Sequence, residues 1–338
     1  MIELREIRKG FKQNTARVGL LKAFLGRVPV QEVVALDGLS LSVAEGQFYS
    51  LLGRNGAGKT TAIKILCTLL LADSGTAKVA GSDVVRQAVA VRRSIGVSIR
   101  GERSVYWRLT GRQNLEYFGR LYDLTGRELV RRAAEIGEVV GLSERLDDYV
   151  ERYSMGMKQR LAIACALIHR PPVLMLDEPT IGLDAAGARA LRRFIRKELM
   201  QKEKVTILYT THYIHEAEEM SDVVGILHQG KIVAEGSPEA ITRHVTNEVG
   251  AQLEIRGTLM QGIDPLRALP GVQTVSLTPK PSGTYSLRLT TDGRELPTAA
   301  VVSSIVNQGC ELLSLEIVRP SLEDAFVALT GGEEVPAN

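Results

Sequence analysis

The apolar positions between residues 48 and 212 form short continuous runs separated by segments with helical spacing. The runs predict buried strands at residues 48–52, 94–99, 173–176 and 205–209. Pro171 ends the last of the predicted helices, which lie at residues 60–71, within 112–152 and at 155–170. This alternation of strands and helices predicts a doubly wound α/β sheet.

Two other patterns flank this region. Residues 2–8 and 39–43 alternate apolar and polar side chains, which predicts two strands of an antiparallel edge. From residue 246 onward the pattern reads strand, helix, strand, strand, helix, strand, the split arrangement of ferredoxin-like domains. We therefore predict a first domain at residues 1–245 and a small α+β accessory domain at residues 246–338. The second domain could serve dimerisation or regulation, or only cover the edge of the core.

The composition narrows the class of protein. The chain has 338 residues, of which 44% are hydrophobic and 24% charged, as in soluble two-domain proteins. A net charge of +3 gives no indication of a nucleic-acid partner, and three widely spaced cysteines suit a reducing cytosol. The N-terminus is too charged for a signal peptide, and the longest apolar run, residues 161–168, is too short to span a bilayer. Any membrane role must therefore use a partner or a surface contact.

A basic insertion occupies about residues 12–33. Residues 8–31 contain six basic side chains and no acidic one, together with an apolar patch at residues 18–25. The segment is either an amphipathic helix that lies against a membrane or a partner, or a solvated loop.

A phosphate-binding loop is the clearest chemical motif. It fits G-x-x-x-x-G-K-[ST] and consists of Gly53, Arg54, Asn55, Gly56, Ala57, Gly58, Lys59, Thr60 and Thr61. Glycines let the loop curl so that backbone N–H groups and the following helix N-terminus point at one anion. Lys59 adds a positive charge for the terminal phosphates, and the Thr60 hydroxyl is placed to ligate Mg²⁺.

Two acids and a histidine follow the predicted strands at residues 173–176 and 205–209. Asp177 can hold Mg²⁺, while Glu178 can orient an attacking water, since adjacent side chains on a strand point to opposite sides. His212 can contact the γ-phosphate. The alternatives are a solvated strand end and a structural histidine, and a metal site built on His212 and His215 lacks a third ligand.

With these residues assembled, residues 1–240 resemble the nucleotide-binding domain of ABC transporters. The Walker A loop is Gly53 to Thr61, Walker B ends at Asp177 with Glu178 as the catalytic acid, and His212 is the switch histidine. The signature sequence corresponds to residues 153–157 and the D-loop to residues 182–184. The resemblance implies an ATP- and Mg²⁺-dependent ATPase with a helical subdomain at about residues 100–170.

The resemblance also implies a dimer, formed with a second copy or a homologous ATPase subunit. Each ATP would lie between the Walker A loop of one subunit and residues of the other, namely Ser154, Met155, Gly156, Met157 and Asp184. Phe11 corresponds to the aromatic residue that stacks on adenine.

The sequence departs from the family pattern at two places. Residues 100–103 stand where the family has a glutamine, and Glu102 is a candidate Mg²⁺ or water contact there. Met155 and Met157 replace the usual glycine and glutamine of the signature.

Residues 102–110 and 319–326 resemble the ABC-2 exporter branch, which includes ATPases of the daunorubicin-resistance type. The predicted function is therefore ATP hydrolysis that powers an ABC-2-type exporter. The protein would be cytoplasmic, bound at the inner face of the membrane to a separate transmembrane permease. The alternatives are a soluble ABC-type ATPase in translation or DNA maintenance, and a slow nucleotide-gated regulatory protein.

Overall fold

The structure is a computed structural model that describes residues 1–14, 30–99, 105–202, 204–245, 249–280, 282–291, 297–318 and 321–331. The chain divides into two compact units, Met1–Pro238 and Glu239–Asn338. The predicted basic insertion lies mostly outside the described residues, and Glu102 lies outside them as well.

The strands of the first unit follow the predicted alternation. They are β1 (Ile2–Asn14), β2 (Val30–Val43), β3 (Phe48–Leu52), β4 (Ser74–Val79), β5 (Ser82–Asp83), β6 (Ile95–Ser98), β7 (Val173–Asp177), β8 (Thr206–Thr211), β9 (Val223–His228) and β10 (Lys231–Gly236). The α-helices of this unit are α1 (Lys59–Leu66), α2 (Ala88–Ser94), α3 (Gly111–Leu121), α4 (Gly126–Val139), α5 (Met155–Leu167), α6 (Ala185–Phe194) and α7 (Ile214–Met220). Helix α8 (Pro238–Val245) begins at the last residue of the first unit and otherwise belongs to the second. Helix α6 continues into a π-helical segment, Ile195–Lys202.

The central sheet has the strand order β10-β9-β3-β8-β7-β6. Strands β9, β3, β8, β7 and β6 pair in parallel, and β10 is antiparallel at one edge. Every residue of β3, β7 and β8 is buried, which explains why these strands lack the alternation of apolar and polar residues seen in half-exposed strands. The carboxyl ends of β3, β7 and β8 therefore lie side by side, where ligands bind in such sheets.

The predicted antiparallel edge is a second sheet of order β2-β1-β4-β5. Ile2 pairs with Val43, and further along the same two strands Phe11 pairs with Val33. The buried side chains of β1 and β2 pack in one cluster with those of α1. Helix α1, which follows the phosphate loop, is thus packed against this second sheet.

Two helices are shorter than the apolar spacing predicted. Helix α1 ends at Leu66 because Thr68 has a φ of +62°, outside right-handed helical geometry. Helix α5 ends at Leu167, and Arg170, with a φ of +55°, precedes Pro171.

Helices α3, α4 and α5 lie within the predicted helical subdomain and share a buried apolar cluster. The Thr110 side chain caps α3 and forms a capping box with Gln113. The buried Arg132 side chain of α4 donates to the carbonyl oxygens of Leu167 and Ile168 at 2.9 and 3.1 Å. It thereby binds carbonyl oxygens at the end of α5, where the helix supplies no further i+4 donors, and the Leu167 carbonyl oxygen also accepts from the Arg170 N–H at 3.0 Å.

The second unit contains β11 (Val249–Arg256), α9 (Asp264–Arg267), β12 (Val272–Pro279), β13 (Tyr285–Thr291), α10 (Thr298–Asn307), β14 (Glu311–Val318) and α11 (Leu322–Thr330). Its sheet is antiparallel, with the order β12-β13-β11-β14. The ferredoxin-like arrangement predicted from the sequence is confirmed. One face of the sheet buries alternate apolar residues, such as Ala251, Leu253 and Ile255, in a cluster with residues of α9 and α10.

Candidate active site

The phosphate loop joins β3 to α1 and contains glycines where other residues would clash. A Cβ on Gly53 would lie 2.5 Å from the Leu227 carbonyl oxygen, and one on Gly58 would lie 2.4 Å from the Ala35 carbonyl oxygen. Gly58 also has a φ of +112°, and Gly56 one of +85°. The loop is therefore held between β9 and β2 in a conformation that requires glycine.

The Lys59 side chain is the charged group of this loop, and it is only 4% exposed. Its Nζ donates to the Gly53 carbonyl oxygen at 2.6 Å and to the Arg54 carbonyl oxygen at 3.1 Å. The same Nζ lies 3.1 Å from Glu178 Oε1. The lysine thus connects the loop to the end of β7.

Asp177 is buried at the end of β7 between two hydroxyl groups. Thr60 Oγ1 lies 3.3 and 3.0 Å from the two carboxylate oxygens, and Thr210 Oγ1 donates to Oδ1 at 2.6 Å. Carboxylate and hydroxyl oxygens are hard ligands that suit Mg²⁺. Burial, and after it the Asp177 charge, raises the pKa of the neighbouring Cys67 thiol to about 12.

Glu178 follows Asp177 with a φ of +48°, in the left-handed region. Its backbone N–H donates to the carbonyl oxygen and to Oγ1 of Thr210, both at 3.1 Å. Its side chain lies against Lys59, and its Oε1 is 3.3 Å from His212 Nδ1. The two carboxylate groups therefore contact different side chains, Thr60 and Thr210 for Asp177 and Lys59 and His212 for Glu178.

A buried carboxylate behind His212 was missed by the sequence analysis. Glu216 on α7 accepts hydrogen bonds from Tyr209 Oη and Thr211 Oγ1, both at 2.8 Å, and lies 3.4 Å from Arg192 Nη1 of α6. Burial, followed by the Glu216 charge, raises the pKa of Tyr209 well above its usual value. In the sequence, the available indication was that Glu216 is an acidic residue four positions after His212. Glu216 fixes the end of β8 to α6 and α7.

Substitution of Glu216 by alanine should destabilise the first unit. Arg192 and two hydroxyl groups would lose a buried acceptor, so we expect the free energy of unfolding to fall by about 3 kcal/mol. Urea denaturation of the purified protein measures the change. Glu218→Ala is the control, because Glu218 is exposed on the same helix. Equal stability of the two variants would contradict a structural role for Glu216.

The remaining predicted site residues lie at helix starts and on the antiparallel sheet. Ser154 caps α5 by accepting from the Met157 N–H at 3.3 Å, and Asp184 caps α6 by accepting from the Gly187 N–H at 2.7 Å. The hydrogen bonds of Ser154 and Asp184 stay within the helices they cap. Met155 is exposed, and a Cβ on Gly156 would meet no atom within 4 Å.

Phe11 is also exposed, on β1. Lys9 Nζ lies 5.8 Å from the centre of the Phe11 ring and 2.6 Å from Asp73 Oδ1. The other Asp73 oxygen accepts from the Gly10 N–H at 2.7 Å. Asp73 therefore holds the backbone and the cation next to Phe11.

The fold and the site together define a P-loop ATPase cassette. The sheet is doubly wound, a glycine loop precedes a helix, and a lysine, two acids and a histidine lie at adjoining strand ends.

A family profile described as ABC transporter matches residues 36–181. The linearmycin resistance ATP-binding protein LnrL of Bacillus subtilis is 34% identical over 300 residues, covering 88% of this chain and 93% of LnrL. The daunorubicin resistance ATP-binding protein DrrA2 of Streptomyces coeruleorubidus is 38% identical over 300 residues, covering 88% of this chain and 90% of DrrA2.

Among solved structures, a dimeric post-hydrolysis state of the ATP-binding cassette MJ0796, bound to ADP and Pi, has the same fold. Its TM-score is 0.58 at 24% sequence identity, covering 70% of this chain and 98% of that chain. The chain described here belongs to the family of ABC transporter ATP-binding proteins.

The family resemblance predicted from the sequence is thus confirmed. The chain is an ATP-binding and ATP-hydrolysing subunit of an ABC exporter, and the soluble or regulatory alternatives are not favoured. Subunits of this kind work as dimers with a transmembrane component. Within the residues that the structure describes, no helix is long and apolar enough to cross a membrane.

Proposed function

We propose that the chain hydrolyses ATP at the cluster of Lys59, Asp177, Glu178 and His212, and that this reaction powers an ABC-2-type exporter. The observation that carries the proposal is the position of Glu178, whose carboxylate lies within 3.3 Å of both Lys59 Nζ and His212 Nδ1. This carboxylate is next to the phosphate loop and can accept the proton of an attacking water. His212 would orient the γ-phosphate and that water.

The loop of residues 53–61 would bind the phosphates of ATP through its backbone N–H groups and Lys59. Thr60 and Asp177 would hold Mg²⁺, since their oxygens already face each other at 3.0 Å. When bound, Mg²⁺ neutralises charge on the phosphates. Phe11 would stack on the adenine, and Glu102 remains a candidate contact for Mg²⁺ or water.

The second half of each site would come from another subunit, either a second copy or a homologue. Residues 154–157 form the cap and first turn of α5, where backbone N–H groups favour an anion. Met155 is exposed and there is open space at Gly156, so a nucleotide could approach this turn. Asp184 would contribute from the start of α6. ATP would then join two subunits, and hydrolysis would release them.

An aromatic surface, which consists of Tyr106, Trp107 and Tyr117, would receive the membrane subunit. All three side chains are substantially exposed, and the Tyr106 and Tyr117 rings are 4.9 Å apart. Lys158 Nζ of α5 lies 4.6 Å from the centre of the Trp107 ring. This contact joins the aromatic surface to helix α5, which Ser154 caps. The chain would therefore be cytoplasmic and peripheral at the inner face of the membrane, bound to an ABC-2-type permease.

Crosslinking from a single introduced cysteine tests this proposal. The native Cys67, Cys165 and Cys310 are buried, so a thiol-directed crosslinker should react mainly at the new site. We expect Trp107→Cys, in membranes of the native cell, to crosslink to a protein with several membrane-spanning segments. Val130→Cys, at an exposed position on α4, is the control and should not do so. Recovery of both variants without a membrane-protein adduct would contradict the proposed attachment.

A further inference from the structure

We propose that Thr210 is a positioning residue that holds both acids of the site through one hydroxyl group. This inference rests on the proposed function, because it concerns the same two carboxylates. Thr210 lies in β8, two residues before His212, and is fully buried. No feature of the phosphate loop or of the acid pair in the sequence points to it.

The two hydrogen bonds of the Thr210 hydroxyl have fixed directions. The hydroxyl donates its only proton to Asp177 Oδ1 at 2.6 Å and accepts from the Glu178 N–H at 3.1 Å. A hydroxyl-to-carboxylate bond this short is charge-assisted, and such bonds are stronger than neutral ones. The hydroxyl has one proton, and that proton is bonded to Asp177. Rotation of the hydroxyl would therefore break its hydrogen bond to Asp177.

The bond to Glu178 fixes the backbone that directs its side chain. A non-glycine residue in the left-handed region costs about 1–2 kcal/mol, and the surroundings must hold it there. Two Thr210 atoms, the carbonyl oxygen and Oγ1, accept from the Glu178 N–H at 3.1 Å each. Thr210 thereby helps to keep the Glu178 carboxylate against Lys59 and His212.

Thr206 provides a comparison within the same strand. It is also buried, and its Oγ1 accepts from the Gly46 N–H at 2.9 Å, at the opposite end of β8. Threonine and valine share a branched shape, so a Thr→Val change at either position removes a buried hydroxyl with little change in packing volume. Only the change at residue 210 removes a contact to the acids.

Loss of the Thr210 hydroxyl should weaken the response of the site to Mg²⁺. Asp177 would then be oriented by Thr60 alone among the described hydroxyl contacts, and partners that orient metal ligands typically contribute about 10–100-fold in metal affinity or activity. We expect the ratio of ATP affinity with Mg²⁺ to ATP affinity in EDTA to fall about tenfold in Thr210→Val. Affinity in EDTA should remain close to that of the parent protein, because the phosphate loop is unchanged.

The experiment measures binding of a fluorescent ATP analogue in full-length protein that carries Glu178→Gln, so that turnover does not interfere. Thr210→Val, Thr210→Ser and Thr206→Val are compared with the parent, each with Mg²⁺ and with EDTA. Thr210→Ser and Thr206→Val should retain the Mg²⁺ response. If Thr210→Val does not fold, Thr210→Ala is compared with Thr210→Ser, because these two differ only in the hydroxyl.

An equal Mg²⁺ response in Thr210→Val and Thr206→Val would overturn the proposal, and so would failure of serine to restore it. Turnover of the single variant Glu178→Gln separates this outcome from failure of the proposed function. Full turnover in that variant would reject the proposed role of Glu178. Lost turnover together with an unchanged Mg²⁺ response in Thr210→Val would reject only the positioning role of Thr210.

Discussion

Glu178→Gln is expected to lower the rate of ATP hydrolysis by about 100-fold or more, since an amide cannot accept the proton of the attacking water. Glutamine has nearly the shape of glutamate and can still accept a hydrogen bond, so ATP binding should persist. The dimer should therefore accumulate with ATP, because the step that releases the subunits is blocked. Phosphate release measures turnover, and light scattering in the presence of ATP measures the dimer.

The control for this variant is Glu218→Gln, which changes an exposed glutamate on α7 and should leave turnover unchanged. Hydrolysis by Glu178→Gln at the rate of the unmodified protein would show that another group activates the water. If Glu178→Gln lost ATP binding as well as turnover, ATP binding would depend on Glu178. That result would contradict the assignment of ATP binding to the loop of residues 53–61.

Lys59→Ala is expected to weaken ATP binding by about 10–100-fold, which corresponds to about 1.5–3 kcal/mol for a hydrogen bond to a charged group. The Lys59 ammonium group bonds two carbonyl oxygens of the loop and contacts Glu178. Its removal would take away a phosphate contact and the group that holds the loop closed. Equilibrium titration with a fluorescent ATP analogue measures the change.

Lys64→Ala is the matched control, because Lys64 is an exposed lysine on the same helix. It changes the net charge equally and should bind ATP like the unmodified protein. If the two variants bind ATP equally well, the phosphates do not bind at this loop.

Local patterns were sufficient to predict much of the site. The residues that bind phosphate are consecutive in the loop of residues 53–61, and Asp177 and Glu178 follow a short apolar run of the kind that forms a buried strand. Thr210 and Glu216 could not be recognised in this way. Their roles arise because β7 pairs with β8 and because α7 packs against β8. Both contacts join residues that are distant in the sequence, so no single segment predicts them.

For the fold as well, the sequence predicted the order of the helices and strands but not every point at which a helix ends. The order of elements in the second unit predicted its ferredoxin-like arrangement, because strand and helix periods differ clearly. The helix predicted at residues 60–71 ended early, at Leu66, since Thr68 takes a left-handed conformation that apolar spacing cannot reveal. The contribution of Ser154 and Asp184 to a second subunit stays a prediction.

The close approach of Gly58 to Ala35 links the phosphate loop to strand β2, and Phe11 pairs with Val33 on that same strand. Ala35, which lies against the phosphate loop, and Val33, which pairs with Phe11, are thus two residues apart, or about 7 Å along β2. In the proposed site, the pairing register of β1 and β2 therefore sets the distance between the Phe11 ring and the phosphate loop. A shift of that register by one residue would turn Phe11 to the opposite face of the sheet and remove its ring from the proposed nucleotide site.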